Sequence, residues 1–456
     1  MASRRHAHIA IAGIVLIALL VRLVLAAGAS PSSIGGDPRV YDGIAVSIAT
    51  GHGWSRPLHH PRAGVVRRPT ALHPPAWPLL LGAAYAVDVD TPGAGGGSPR
   101  RALHVARERW RAGREVNAVA GGVGVGLVGL VGLELWGPLV GVVATALAAV
   151  YPPPAVLAVA LLSEPLFLVF ELAALLAVLR YRRLPHRRRW LVAAGVLAGL
   201  ATLTRANGAA LLLPFAVGVW TLRPRWSWRA LAAPAALVAT AVLVVAPWTA
   251  RNALVLHGLV PVATDLGQTV RGTYNPVSAA HRFRWRGTTL LPASDRAAVD
   301  QPDEASRSAA LTRLGLDYLR RHPTAVLEAA VWNSAREFDL VPAARRNLAG
   351  EVRSPLLGRI SVIGFAIMAA LALAGALTTR ARRAPRFVWL APLVLWLGTV
   401  LLAVNFSRFR APLEPFLVLL GALAVTAAGE RIVRVRGRRP AGTGDPTAPA
   451  GATVRS

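Results

Sequence analysis

The sequence predicts an all-α membrane protein: a polytopic bundle of about 10–11 helices, with an amphipathic helix in the first external loop and a helical second external loop. Three observations lead to this prediction. The chain has 456 residues, 54% of them hydrophobic, and a mean hydropathy of +0.47. Apolar runs long enough to cross a bilayer recur along it. Arginines collect in the short segments between those runs, which is typical of multi-spanning proteins.

Composition excludes several classes of function. The formal net charge is +29, which would indicate nucleic-acid binding in a soluble chain. Here all 51 basic residues are Arg, and they cluster in loops between apolar runs. We therefore assign the charge to membrane topology and predict no nucleic-acid partner. Cys is absent, which excludes disulfides and thiolate metal sites.

Eleven apolar segments predict the membrane helices. They cover residues 9–27, 75–87, 116–135, 138–151, 155–179, 190–204, 207–222, 230–248, 357–377, 387–404 and 411–428. Arg4 and Arg5 precede the first segment, as in a signal peptide. That segment is too long for a signal peptide and many others follow it, so we interpret it as an uncleaved first span.

The arginine clusters predict the orientation of the bundle. They lie at 180–189, 222–230, 379–387 and in the tail after residue 430. If these clusters and both termini face the cytoplasm, the longest polar segment, 251–355, faces outward. An odd number of crossings must then separate the first span from the first cluster, although four apolar segments lie between them. Segment 75–87 falls short of the roughly 20 residues that a spanning helix needs, so we predict a membrane-dipping or interfacial helix there.

The outer segments have patterns of their own. In the first external loop, 28–74, apolar positions recur at helical spacing from Val40 to Thr50 and predict an amphipathic surface helix. Within the second external loop, 251–355, segment 304–340 is predicted to form two helices broken at His322–Pro323, because the residue before Pro disfavours the helical conformation.

Two polar segments are predicted to lack regular structure. Residues 88–99 have the composition of a flexible linker. The integral-membrane domain is predicted to cover 1–429, followed by a basic, disordered cytoplasmic tail at 430–456.

Charged residues at the edges of apolar runs predict a buried polar site, since charge at membrane depth is costly and usually functional. Glu164 is expected inside the apolar stretch 155–179, with Glu171 on the same helix face. With the orientation above, seven polar positions fall on the external side: Asp37, His73, Arg114, Glu164, Arg205, Arg251 and Arg408. This agreement predicts one outward-facing site shared by helices far apart in sequence.

A glycine motif at 124–129 matches GxGxxG, but it lies inside an apolar run and follows no strand, so it does not indicate a nucleotide site. The spacing of Gly122 and Gly126 instead predicts close packing between membrane helices.

Several motifs follow one another in a distinctive order. The first external loop contains GDPRVYDGIA at 36–45, GHGW at 51–54 and PTALHPPAWP at 69–78. Later motifs are SEPLF at 163–167, LTRANG at 203–208, PWTARN at 247–252, VPVAT at 260–264 with Gly267, His322–Pro323, and SRFRAP at 407–412. Together they resemble the GT-C superfamily of membrane glycosyltransferases, which includes protein O-mannosyltransferases and lipid A aminoarabinose transferases and uses polyprenyl-phosphate-linked sugars. The resemblance covers the chain from the first span to about residue 429.

The resemblance implies an inverting sugar transfer at the external face of the plasma membrane. The donor would be a polyprenyl-phosphate sugar, and the acceptor a hydroxyl of a cell-envelope glycolipid, polysaccharide or protein. Asp37 occupies the position of the acid that takes the acceptor's proton. Residues implied at the donor phosphate are His73, Arg114, Arg205, Arg251 and Arg408, supported by Tyr41, Asp42, Glu164, Asn252 and Arg410.

The chain departs from the family pattern beside Asp37. Many relatives carry two adjacent acids there, whereas this sequence has Pro38, and Asp42 is the nearest other carboxylate. We predict no definite cofactor, and a divalent cation is a disfavoured alternative.

Other interpretations stay open at this point. Asp37 before Pro38 fits a helix N-cap, and Glu164 fits a structural ion pair between helices. Arg205 and Arg251 fit membrane anchors at helix ends. For the whole chain, the alternatives are a transporter or lipid flippase without transferase chemistry, or a non-catalytic scaffold.

Overall fold

A computed structural model of the chain describes residues 4–29, 34–60, 64–88, 99–220, 227–341, 355–402 and 407–437. All eleven predicted apolar segments contain helix. Five helices are long and apolar enough to cross a membrane: Arg4–Gly28, Leu103–Trp136, Trp228–Leu256, Pro355–Ala376 and Ser407–Arg434. The predicted all-α polytopic bundle is confirmed, and the protein is a multi-pass membrane protein.

The first ten helices are α1 (Arg4–Gly28), α2 (Gly36–Ala49), α3 (Ala76–Asp88), α4 (Pro99–Trp136), α5 (Pro138–Val150), α6 (Pro152–Leu157), α7 (Glu164–Arg183), α8 (Arg189–Thr204), α9 (Leu212–Trp220) and α10 (Trp228–Leu256). They are followed by α11 (Asp265–Thr273), α12 (Pro276–Ala279), α13 (Arg296–Val299), α14 (Glu304–Arg321), α15 (Ala325–Glu337), α16 (Pro355–Ala376), α17 (Thr379–Arg383), α18 (Arg386–Val400) and α19 (Glu414–Gly437). Short 3₁₀ turns cover Ala206–Leu211, Thr288–Leu290, Ala293–Asp295 and Ser407–Leu413. Strands β1 (Ser55–His60) and β2 (Gly64–Pro69) form an antiparallel hairpin.

Helix α4 lies against α1, α5 and α7, while α8 packs between α7 and α10. The predicted close packing at the GxxxG glycines is confirmed between α4 and α1. A Cβ atom at Gly122 would come within 3.3 Å of Leu19, and one at Gly126 within 3.2 Å of Val15. Glycine therefore lets the two helix backbones approach closely.

The helices predicted to be external or interfacial also follow the sequence prediction. Helix α2 covers the predicted amphipathic segment, and its Tyr41 and Ala45 pack in one apolar cluster with Trp77 of α3. The break at His322–Pro323 is confirmed, since α14 ends just before it and α15 begins just after. Helix α3 has 13 residues, about 20 Å of helix, which agrees with the short helix predicted for that segment. Its depth in the membrane stays a prediction.

The stretch 155–179 was expected to be continuous, and the structure corrects this. Helix α6 ends at Leu157, and α7 begins only at Glu164, whose neighbour Pro165 occupies the first turn, where Pro is favourable. The side chains of Arg114 and Asn117 on α4 bond to backbone carbonyls between the two helices. These bonds replace the helical ones, so Glu164 starts a helix and does not lie within one.

Two other features of the fold differ from expectation. The β-hairpin was not predicted, and α19 continues to Gly437, past the predicted start of the tail. The predicted linker falls almost entirely at 89–98, and the rest of the tail at 438–456, both outside the described residues.

Candidate active site

Three of the predicted polar residues meet at one end of the bundle. Asp37 lies in the first turn of α2, and its Oδ2 accepts a hydrogen bond from the Arg408 guanidinium. Its Oδ1 is 3.8 Å from Nε2 of His73. The Asp37 side chain is 39% exposed, against 5% for Arg408 and 10% for His73. The carboxylate is therefore accessible while its cationic partners are held in the protein.

Glu164 and Arg205 extend this group. Oε1 of Glu164 is 2.7 Å from Nη1 of Arg205 and 3.9 Å from Nε of Arg408. Arg205 also donates to Ser163 Oγ at 3.4 Å. The same Ser163 oxygen lies 3.3 Å from the Tyr41 hydroxyl. We call Asp37, His73, Glu164, Arg205 and Arg408 the Asp37 cluster.

Each member of the Asp37 cluster stands at or near a helix end. Glu164 is the first residue of α7, and Arg205 leaves α8 in an extended conformation, with φ −146° and ψ 130°. Arg408 lies in the 3₁₀ turn before α19. The other ends of α7 and α8 carry the arginine-rich loop at 180–189. The cluster and that loop therefore occupy opposite ends of the bundle.

The electrostatic environment favours charged forms of Asp37 and His73. Burial alone would raise the pKa of Asp37, but Arg408 and His73 outweigh this effect and hold it at about 2. Burial lowers the pKa of His73, but Asp265 and Asp37 outweigh that effect and raise it above the usual value. The site therefore contains an ionised carboxylate beside an imidazole that favours its cationic form.

Asp37 is not a helix N-cap. Gly35 occupies that position, and the cap makes no side-chain hydrogen bond to the helix. The capping interpretation is wrong because the carboxylate turns toward Arg408. The interpretation of Glu164 as an ion-pair partner agrees with its contact to Arg205.

Arg251, Arg114 and Asn252 are engaged elsewhere. Arg251 donates to the carbonyls of Thr70 and Trp54, each at 3.0 Å. Arg114 donates to a carbonyl of the segment before Glu164, and Asn252 to a carbonyl in the loop after α10. The structure therefore places Arg251 beside the Asp37 cluster and not in it, because nearby loop carbonyls take up its N–H groups.

Asp42 and Arg410 belong to two further groups. Asp42 accepts hydrogen bonds from Tyr85 at 3.1 Å and from Arg109 at 3.2 Å. Arg410 forms ion pairs with Glu414 and Asp339 and donates to the Glu337 carbonyl at 2.9 Å. We call Arg410, Glu337, Asp339 and Glu414 the Arg410 cluster.

Sequence reasoning missed Asp265 and Glu304. Oδ2 of Asp265 is 3.7 Å from Nδ1 of His73. Glu304 accepts hydrogen bonds from Thr70 and Thr264 and so joins the two loops that are predicted to be external. The VPVAT motif directly before Asp265 was a usable signal, whereas nothing in the sequence singled out Glu304. Within the described ranges, no group of three or more His, Cys, Asp or Glu side chains is arranged to hold a metal ion.

An apolar groove of about 820 Å³ opens among α1, α3, α4 and α7. Its lining includes Leu80 and Ala84 of α3, Val116 and Val119 of α4, and Leu166 of α7. Leu166 lies in the first turn of α7, the helix that begins at Glu164, so the groove and the Asp37 cluster share this helix.

Comparison with known proteins identifies related sequences and folds. Residues 102–250 match the family described as dolichyl-phosphate-mannose-protein mannosyltransferase. No curated protein sequence matches the chain. The archaeal oligosaccharyltransferase AglB from Archaeoglobus fulgidus, in complex with an inhibitory peptide and a dolichol-phosphate, is 15% identical with a TM-score of 0.53. The match covers 98% of this chain and 53% of that one. The apo form of the Archaeoglobus fulgidus oligosaccharyltransferase is 14% identical with a TM-score of 0.53, over 94% of this chain and 51% of that one.

This chain therefore spans about half the length of those oligosaccharyltransferases. At such low identity the likeness establishes the fold, which extends over nearly the whole chain and contains the segment matched by the mannosyltransferase family. The chain therefore shares the fold of these oligosaccharyltransferases and is similar, over residues 102–250, to the mannosyltransferase family.

Proposed function

We propose that the protein is an inverting membrane glycosyltransferase, which moves a sugar from a polyprenyl-phosphate donor to an acceptor hydroxyl at the external face of the plasma membrane. One observation carries this proposal. A partly exposed carboxylate, Asp37, lies among the guanidinium groups of Arg205 and Arg408, although the three residues come from distant parts of the chain. This combination suits proton removal beside a departing phosphate.

The cations of the site are suited to the donor's phosphate. As the bond between sugar and phosphate breaks, negative charge grows on the phosphate, and guanidinium groups already fixed in place stabilise it. Arg205 and Arg408 share the carboxylate of Glu164, which orients both toward the same space. AglB was solved with a dolichol-phosphate, which supports a lipid phosphate as the ligand class here.

The apolar groove gives the donor's isoprenoid chain a place in the bilayer. Its lining residues belong to α1, α3, α4 and α7, and α7 also supplies Glu164 of the Asp37 cluster. A donor with its phosphate at Arg205 and Arg408 would extend its hydrocarbon tail along this groove.

The chemical step is a single displacement. The acceptor oxygen attacks the anomeric carbon from the side opposite the phosphate, the bond from that carbon to the phosphate oxygen breaks, and its electron pair leaves with the polyprenyl phosphate. The hydroxyl proton passes to Asp37. Attack from the opposite side inverts the anomeric configuration.

Arg408 also affects how strongly Asp37 acts as a base in this step. With a pKa of about 2, Asp37 is a weak base while Arg408 contacts it. An incoming phosphate competes with Asp37 for the same guanidinium, and any transfer of Arg408 to the phosphate raises the pKa of Asp37. Donor binding would thus prepare the base.

The position of the site supports the external face. The Asp37 cluster lies at the ends of α7 and α8 that are remote from the arginines at 180–189. At the opposite end of the bundle, Trp136 at the end of α4 donates to the carbonyl of Arg380, within the arginine cluster at 379–387. Arginine-rich loops face the cytoplasm by the positive-inside rule.

A transfer assay tests the proposal. Membranes containing the protein would be incubated with radiolabelled polyprenyl-phosphate hexose or pentose, and label in the acceptor fraction would be measured. Asp37→Asn is expected to lower the rate by about 10²–10⁴-fold, because it removes the general base. The matched control is Asp317→Asn, an acid of α14 that is 49% exposed and pairs with Arg320.

Full transfer by Asp37→Asn would contradict the proposed base. Movement of a solute or lipid across the bilayer, with no label reaching an acceptor, would favour a transporter or flippase.

A further inference from the structure

His73 lies between two carboxylates, one at each ring nitrogen. Nε2 is 3.8 Å from Asp37, and Nδ1 is 3.7 Å from Asp265. The ring packs against Tyr41, with 4.7 Å between the ring centroids, and the side chain is 10% exposed. Both distances are longer than a hydrogen bond, so the attraction is electrostatic, and it favours the protonated imidazole, which carries the positive charge and a hydrogen on both nitrogens.

His73 and Asp265 are held near each other by contacts between two loops that are far apart in sequence. The Thr264 amide donates to the Ala71 carbonyl at 2.9 Å, two residues before His73. The Glu304 carboxylate accepts from the Ala71 amide at 2.9 Å and from the Thr264 hydroxyl. The chain before His73 is thereby bound to the chain before Asp265, and the distance between their side chains is set by backbone contacts.

Asp265 is held in place at the start of a helix. It is the first residue of α11, where the unpaired N–H groups and the helix dipole stabilise negative charge. Its side chain is 32% exposed, so water also solvates it. Helix α11 is seated firmly against α14, because a Cβ atom at Gly267 would come within 2.2 Å of the Ser308 carbonyl oxygen.

We propose that Asp265 is a positioning residue that keeps His73 in its imidazolium form, so that His73 acts as a third cation for the donor phosphate beside Arg205 and Arg408. This inference rests on the proposed transferase function. It adds a residue from the second external loop to a site otherwise built from the first loop and the helix ends.

The charges around His73 explain why Asp265 is needed. Asp37 and Tyr41 face it from α2, Asp265 faces it from α11, and Arg408 acts on it from the 3₁₀ turn. Arg408 opposes a positive charge on His73 and also occupies Asp37. Asp265 is thus the carboxylate that His73 does not share with Arg408.

The titration of His73 provides the first test. In the full-length protein in detergent, hydrogen–deuterium exchange at the imidazole C2 position, followed by mass spectrometry of the peptide containing His73, reports its pKa. Asp265→Asn is expected to move the midpoint down by about one pH unit, the effect of removing one nearby opposite charge. The control Asp300→Asn, an exposed acid of the same external segment, should leave the midpoint unchanged. An unchanged midpoint in Asp265→Asn, with its thermal unfolding also unchanged, would overturn the proposal.

The second test measures the effect on phosphate binding. Undecaprenyl phosphate would be titrated against the wild type, Asp265→Asn and Asp265→Glu between pH 6 and pH 9. The ratio of variant to wild-type affinity cancels the titration of the ligand itself. We expect Asp265→Asn to match the wild type at the lowest pH and to bind progressively more weakly as the pH rises, by at most about tenfold, the change that corresponds to one pKa unit. Asp265→Glu should restore most of the difference.

Equal affinity of Asp265→Asn and the wild type across this pH range would overturn the role of His73 at the phosphate. Failure of the transferase function is separate, since it would appear as no labelled product from a protein that still binds undecaprenyl phosphate with the expected dependence on Asp265.

Discussion

Arg408 and Arg410 lie two residues apart on one 3₁₀ turn, yet they occupy opposite kinds of environment. Arg410 is 1% exposed, and its partners Glu414 and Asp339 are equally enclosed. Its guanidinium carbon also lies 3.8 Å from the centre of the Phe365 ring. Arg408 is buried as well, but its partner Asp37 is 39% exposed. Arg410 is thus buried together with all of these partners, whereas Arg408 contacts a carboxylate that substrate can reach.

The difference shows how one turn can serve both stability and chemistry. A buried ion pair that loses one partner leaves an uncompensated charge, so the Arg410 cluster resists rearrangement. It fixes the turn that carries Arg408 and connects it to the end of α15 through the Glu337 carbonyl. Arg408 can then exchange one carboxylate for a phosphate while the backbone beneath it stays in place. The Arg410 cluster therefore has a structural role and the Asp37 cluster a chemical one.

The largest effect is expected from Arg410→Met. It leaves Glu414 and Asp339 buried without their cation, which should cost about 3–5 kcal/mol of the free energy of unfolding. Thermal unfolding in detergent would show a large fall in the midpoint. Transfer should fall with it, because the turn that holds Arg408 is no longer fixed.

A triple variant sharpens this prediction. Arg410→Met combined with Asp339→Asn and Glu414→Gln removes the unpaired charges and should recover much of the lost stability. If Arg410→Met alone unfolds at the wild-type temperature, the Arg410 cluster does not anchor the turn.

Arg408→Gln should separate chemistry from stability. Removing a group that stabilises the leaving phosphate typically costs about 10²–10³-fold in rate. The midpoint of thermal unfolding should fall much less than in Arg410→Met, because water reaches the exposed Asp37. Initial rates with labelled donor and unfolding curves on the same preparation would check both. A variant that loses stability but transfers at the wild-type rate would reverse the roles assigned to the two arginines.

Much of the fold was predictable, because apolar length and arginine placement are local properties of a membrane sequence. The break between Leu157 and Glu164 was not, since it depends on Arg114 and Asn117 of another helix binding its carbonyls. The β-hairpin escaped prediction because its two strands are only six residues each.

The candidate site was also predictable only in part. The five members of the Asp37 cluster were all named from motifs and helix ends, although their chemical roles stay predictions. The sequence could not tell Arg408 from Arg251 or Arg410, because each is an arginine beside an apolar run. Whether such a side chain meets a carboxylate or a carbonyl depends on which distant loop lies opposite it.

The Arg410 cluster should also produce a specific pH dependence of stability. Glu337 is fully buried, and no described residue forms a hydrogen bond with its carboxyl oxygens. Burial raises its pKa to about 8, despite the opposing effect of Arg410. The folded protein therefore keeps a proton that the unfolded chain loses above about pH 4.5. Stability should be greatest near that pH and fall toward pH 8, by at most about 1.4 kcal/mol per pH unit.

Glu337→Gln removes this titratable group. The variant should therefore lose less stability than the wild type between pH 5 and pH 8, as measured by thermal unfolding. The same decline in the variant would show that another group causes it. Asp37 predicts no loss in this range, because its depressed pKa confines its own effect to acid pH. His73, whose pKa is raised, adds a separate loss that begins only above about pH 6.5.

The smallest effect is expected from Arg251, and it decides how far the Asp37 cluster extends. Arg251→Gln removes hydrogen bonds to the Thr70 and Trp54 carbonyls, which should cost about 1–2 kcal/mol of stability. Because Arg251 lies beside the cluster, the variant should keep its kcat within about threefold of the wild type, well short of the change expected from removing a transition-state contact. Arg205→Gln is the matched comparison, since Arg205 contacts Glu164 within the cluster. Equal loss of transfer in both variants, at a temperature where each is folded, would show that Arg251 reaches the donor phosphate during the reaction. The phosphate site would then extend beyond the residues of the Asp37 cluster.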